Sequence, residues 1–260
     1  MQKFMSEADL RQVAPSIYAK SMFKGCSNKY SFYPTSKVID ALALAGWFPF
    51  DAKETKVRRP DRIGHQKHMM RFRQMGAWQE KMLVGDSVIE AILVNAHDAT
   101  SSYSVYAGVF RFTCSNGMVV ADGSFPRMSI RHYKQSVDEI VTATLNVVES
   151  APKIASKITA MKQKKLTTQE QVAFAMSALS VKFNGSYQTL PPSAVLHVRR
   201  PEDTQADLWS TLNVVQENLI KGGIDGKSRA NKRTVSRGIK AIQEDIRVNK
   251  GLWALAERML

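Results

Sequence analysis

In this chain of 260 residues, 37 lysines and arginines stand against 23 acidic residues, a net charge of +14. Such an excess points to a polyanion or an acidic protein as partner. Apolar residues at 44% and charged residues at 23% are the balance of a globular protein with a real core. No apolar run reaches the ~18 residues of a membrane span, the N-terminus lacks the apolar stretch of a secretion signal, and Cys26 and Cys114 alone make no disulfide framework, so a cytoplasmic protein without a membrane partner is expected.

In chain order, residues 1–28 read as a weakly structured N-terminal segment. Lys29–Tyr33 is a short strand candidate. Thr35 or Ser36 then caps a helix through Val38, Ile39, Leu42 and Leu44, which Gly46 stops. The stretch to residue 135 reads as β: Trp47–Val57, His68–Arg73, Ser87–Asn95 and Tyr103–Thr113 carry alternating or β-branched apolar residues. In His68–Arg73 the alternation puts Met70 and Phe72 on one face and Arg71 and Arg73 on the other. Asn116-Gly117, flanked by apolar runs, signals a type I′ hairpin turn.

From residue 136 onward the pattern is helical. Asp138 and Glu139 favour a helix start, and Pro152 interrupts or restarts that helix. Thr167 with Glu170 is a capping box before Val172, Phe174 and Leu179. Asp203 or Thr204 opens a helix through Leu208, Leu212, Val215 and Leu219, ended by Gly222-Gly223, and a last helix runs from about Thr234. The expected fold class is α+β: an antiparallel β meander preceded by a helix and followed by a helical C-terminal half, as segments 1–28, 29–135 and 136–260 or as one continuous domain.

The charge is concentrated in two places. Lys53, Lys56, Arg58, Arg59, Arg62, Lys67, Arg71 and Arg73 are opposed only by Glu54 and Asp61, with Trp47 and Trp78 close by as stacking platforms. Lys227, Arg229, Lys232, Arg233 and Arg237 lie in or just beyond a basic loop over residues 221–234, which reads as mobile. Convergent cations with aromatic platforms hold single strands without sequence preference. The bland reading is a solvated, charged sheet edge and an incidentally basic tether. Gly226-Lys227-Ser228 lacks the preceding strand and glycine of a phosphate-binding loop. His97-Asp98 and Cys114 are the raw material of a thiol nucleophile, and equally of a turn and a buried cysteine. His65, His68, His132 and His197 do not have metal-ligand spacing, and neither a metal nor another cofactor is expected.

Several segments together resemble a known family: His97-Asp-Ala-Thr-Ser101, Phe110-Arg-Phe-Thr-Cys-Ser-Asn-Gly117, Arg199-Arg-Pro-Glu-Asp203, Asp207-Leu-Trp209, Gln216-Glu-Asn218 and Asn249-Lys-Gly-Leu-Trp253-Ala-Leu-Ala-Glu257. It is a phage- and plasmid-borne family known only as a domain of unknown function, and the likeness runs from about Lys29 to the C-terminus. Ala99 departs from it where glycine is expected, which puts a strained turn there in question. The order of elements is also similar to that of single-strand annealing proteins, a likeness of fold alone. The reading is a single-stranded DNA-binding, homo-oligomeric protein that anneals complementary strands without a cofactor. The alternatives are a protein that inhibits or redirects a host factor and, further off, a metal-dependent nuclease or thiol hydrolase.

Overall fold

The computed structural model describes residues 3–112, 116–120, 128–130, 137–184, 190–227 and 231–260. They fall into two units: Met1–Phe110 with Gly123–Pro152, and Arg111–Asp122 with Lys153–Leu260.

The first unit begins with α1 (Glu7–Val13), set by a capping box in which the Ser6 hydroxyl accepts from the Asp9 N–H and the Asp9 carboxylate from the Ser6 N–H. The Met5 N–H donates to the Pro49 carbonyl at 2.7 Å, so the segment expected to be weakly structured is tied down. No strand forms at Lys29–Tyr33. Helix α2 (Thr35–Leu44) buries Val38 and Leu42 and ends at Gly46, whose φ of 81° suits glycine alone at little cost. Leu44, counted in the apolar stripe, is 93% exposed instead.

Five elements follow: β1 (Trp47–Glu54), β2 (His68–Gln74), β3 (Leu83–Val84), β4 (Ser87–Asn95) and β5 (Tyr103–Arg111). Strand β6 (Asn116–Val119) belongs to the second unit, and β7 (Met128–Ile130) to the first. The sheet of the first unit runs β1-β2-β4-β5, with β3 folded back on β4 and β7 paired to β5. β2 is antiparallel to both of its neighbours, β1 and β4, with a bulge in β1 between Pro49 and Asp51. Asn116 and Gly117 lie within β6 and not at a turn.

Helix α3 (Val137–Gln163) continues through Pro152. The proline removes one backbone donor at a cost of about 3 kcal/mol, but Ala151, Ile154 and Ile158 are fully buried around it and hold the helix together. In the second unit α4 (Thr168–Phe183) starts on the Thr167–Glu170 capping box. A short α5 (Pro192–Val195) leads to α6 (Leu208–Lys221), capped by the Asp207 carboxylate on the Ser210 N–H. Then come the hairpin β8 (Asp225–Lys227) and β9 (Arg233–Val235), and α7 (Ile242–Glu257). The last helix thus begins at Ile242, and Thr234 is in a strand. α6 is buried from Leu208 to Leu219, so its polar side chains need partners inside the protein. Trp209 meets Trp253 of α7 edge to face, ring centres 6.4 Å apart. The architecture is α+β: a helix, an antiparallel meander, then a helical C-terminal half.

Candidate nucleic-acid interface

The first basic cluster divides by burial. The alternation in β2 does place Arg71 and Arg73 on one face, but they are only 4% and 5% exposed. Glu90 of β4, fully buried, accepts from Arg71 Nη1 at 3.0 Å and from Arg73 Nε at 2.7 Å. The Arg73 guanidinium also lies over the rings of Phe110 at 4.1 Å and Phe50 at 4.5 Å. A buried charge is tolerable only when paired and hydrogen-bonded. These two arginines are therefore core residues, and the expectation that they face phosphates is corrected. Lys67 is buried as well. Trp47 is fully buried and offers no stacking face, because it packs in the core beside the end of α2.

The β1–β2 connection keeps its cations at the surface. Lys56, Arg58 and Arg59 are exposed and Lys53 half-buried. Arg59 pairs with its neighbour Asp61 at 2.6 Å, whereas Lys56 and Arg58 have no counter-ion among the described residues. Arg62 leans back onto Asp98 at 3.1 Å and over the Phe23 ring, fastening this connection to the body of the unit. Trp78 is 38% exposed, with the Lys81 ammonium 4.7 Å from its ring centre, and is the accessible aromatic of the two expected.

The described part of the second cluster forms a two-stranded hairpin. Asp225 pairs with Val235, Gly226 with Thr234 and Lys227 with Arg233. Lys227, Lys232, Arg233 and Arg237 are exposed, and Arg233 contacts Asp225 at 3.2 Å. Arg229 lies outside the described residues.

Two polar clusters are buried, and the first was not anticipated. Thr35 does not cap α2. The residue before the helix is Pro34, and the Thr35 hydroxyl turns inward instead. His68 Nε2 lies 2.9 Å from that hydroxyl, and His97 Nε2, Tyr103 Oη and Asn95 Nδ2 each 3.1 Å. A hydroxyl has one proton and two acceptor positions, so four neighbours share three bonds and the protons have more than one arrangement. The network continues from His68 Nδ1 to Ser16 Oγ at 3.0 Å, and Glu54 takes the Ser16 N–H and the Gln66 amide. Beside it Asp98 accepts from the N–H and hydroxyl of Thr100, closing a turn. Ala99 sits in that turn at φ 62°, so the left-handed conformation is kept without glycine.

The other cluster joins residues of the segments that carried the family resemblance. Arg200 bridges Asp203 at 2.9 Å and Glu217 at 2.5 Å, Asp203 also takes Arg111, and Lys221 reaches Glu217 at 2.5 Å. Gln216 Nε2 donates to Asn249 Oδ1 at 2.9 Å, and Asn249 donates to Asp245. These residues give most of the buried polar side of α6 its partners, although Gln216 Oε1 and Trp209 Nε1 have none among the described residues. Their polarity at helix spacing was visible in the sequence, but their partners were not.

Among the described residues no group of three or more His, Cys, Asp or Glu could hold a metal. Burial pushes the Cys26 thiol above its usual range, with Asp98 adding to the effect, which disfavours a thiolate. Cys114 and His132 lie outside the described residues. No helix among those described is long and apolar enough to cross a membrane.

Fold and surface together define an α+β protein whose polar motifs are mostly internal and which carries exposed cations on the β1–β2 connection and the β8–β9 hairpin, among other surface positions. The family to which the chain belongs is DUF932, a domain of unknown function, whose model matches residues 23–253. The UPF0380 proteins YfjQ and YafZ of Escherichia coli (strain K12) are each 35% identical over 256 residues, covering 98% of this chain and 92% of each relative. No solved structure matches the chain.

Proposed function

We propose that the protein binds single-stranded nucleic acid through its exposed cations and supports annealing of complementary strands. The observation that carries this reading is the division of the charge. Arg71 and Arg73 are buried and share the Glu90 carboxylate, while Lys56, Arg58, Lys227, Lys232, Arg233 and Arg237 stay at the surface. Cations left in water attract phosphates by releasing counter-ions, without reading sequence. Trp78, close in sequence to the first group, supplies a face on which a base can stack. Annealing needs no cofactor, since base pairing supplies the driving force. In a homo-oligomer, weak contacts repeat along one strand and their avidity multiplies. Such an activity suits single-strand handling on a phage or plasmid.

Fluorescence anisotropy with a labelled single-stranded oligonucleotide tests the reading. The double variant Lys56→Glu, Arg58→Glu is expected to bind at least about ten-fold more weakly at low salt, since each reversed contact removes a phosphate interaction. Unchanged affinity in that variant and in Lys227→Glu, Arg233→Glu would overturn it.

A further inference from the structure

The second unit holds a pocket of about 450 Å³ at the foot of the β8–β9 hairpin, lined among others by Pro191, Ala194, His197, Arg199, Ile224 and Asp225. Its floor is Asn218 of α6, 1% exposed. The Asn218 amide Nδ2 donates to the carbonyls of Val195 and His197, both at 2.9 Å, and its Oδ1 accepts from Arg199 Nε at 2.7 Å. One buried amide thus fixes the backbone of the 195–197 stretch and the direction of the Arg199 guanidinium. Both terminal nitrogens of that guanidinium make no hydrogen bond among the described residues, and the Arg199 and His197 side chains are exposed on the pocket rim.

We propose that this pocket receives one nucleotide of a bound strand, with its phosphate on Arg199 and His197. A guanidinium held by its Nε presents its remaining N–H groups as a fork, the geometry that matches phosphate oxygens. Pro191, Ala194 and Ile224 give the pocket an apolar side for the base. Asp225 on the same rim is acidic and repels phosphate. It is held toward Arg233 at 3.2 Å, and its carboxylate suits base amino groups or a sugar hydroxyl as donors. Exposed Lys227 and Arg233 lie on the hairpin that starts at Asp225 and are assigned to the neighbouring phosphates. This inference rests on the nucleic-acid reading above and assigns to it a defined subsite.

The chain has five histidines, so the ring resonances of His197 can be followed by NMR in the full-length protein while a deoxynucleoside 5′-monophosphate is added. The His197 signal is expected to shift. Arg199→Ala should weaken the interaction about ten-fold, the loss of one charge-assisted contact. Ala194→Phe, which fills the pocket and leaves the Asn218 contacts in place, should abolish the shift. A thermal melt checks that each variant is folded. If the nucleotide leaves His197 unmoved while the oligonucleotide still binds, the pocket assignment fails and the surface reading stands. If the nucleotide binds here and no oligonucleotide binds, the pocket stands as a mononucleotide site and the surface reading fails. Equal response to inorganic phosphate would overturn the assignment of a nucleotide.

Discussion

Glu90 stands between two guanidiniums in the core of the first unit, and its removal leaves Arg71 and Arg73 buried without the carboxylate that holds them. Glu90→Ala is expected to cost about 3–5 kcal/mol, read as a fall in the urea midpoint. Arg58→Ala, at an exposed position, should leave stability within about 0.5 kcal/mol while weakening oligonucleotide binding. Thr35 makes a similar test of the polar cluster. Thr35→Val keeps the shape but deletes the hydroxyl shared by His68, His97, Tyr103 and Asn95, at about 1–3 kcal/mol for each polar group left without a partner. Thr35→Ser should retain most of the stability.

Glu217 links the second unit to pH. Burial pushes its carboxyl up, but hydrogen bonds from Arg200 and Lys221 outweigh this and hold it below its ordinary 4.5. With a depressed folded pKa, the stabilisation is full above 4.5 and is lost as pH falls through the folded pKa, because the unfolded chain then binds more protons. Acid titration followed by circular dichroism should show that loss, and Glu217→Gln should flatten its slope.

Among the elements, the β8–β9 hairpin is held at its base by two glycines. A Cβ on Gly222 would lie 2.4 Å from Gly238 N, and one on Gly238 would lie 2.6 Å from Lys221 O. The end of α6 and the segment that follows β9 are thus backbone to backbone, joined by the Ile239 N–H donating to Ile220 O at 2.8 Å. Gly238→Ala should loosen this clamp and lower amide-exchange protection in the hairpin, with a loss of about 1–3 kcal/mol. Unchanged protection at Ser236 and Ile239 would count against the clamp. Gly222-Gly223 was legible as a helix stop because a stop is a local signal. Gly238 was not, since its role depends on a partner brought up by the fold. The same distinction explains β4 and the α4 capping box, whose β-branched run and Thr-to-Glu spacing are local, and the misreading of residues 221–234. There Gly, Lys and Arg look like a loop until cross-strand pairing is formed.

At the scale of the whole molecule, the net charge of +14 was legible, but its distribution between core and surface was not. Which arginines stay in water depends on strand register, which sets Glu90 of β4 against Arg71 and Arg73 of β2. No periodicity within β2 reveals that. The family motifs likewise mark the chain's membership, whereas the structure turns many of them inward as partners of α6. Among the cations that remain at the surface are those of the β1–β2 connection and the β8–β9 hairpin, and the central claim concerns what they hold. Binding of a labelled single-stranded oligonucleotide, beside the matching duplex, across a salt titration tests it most directly. The account predicts preference for the single strand and a log–log slope near −4, corresponding to about six neutralised phosphates. A flat salt response, or no binding at low salt, would contradict it and assign the basic surface to another partner.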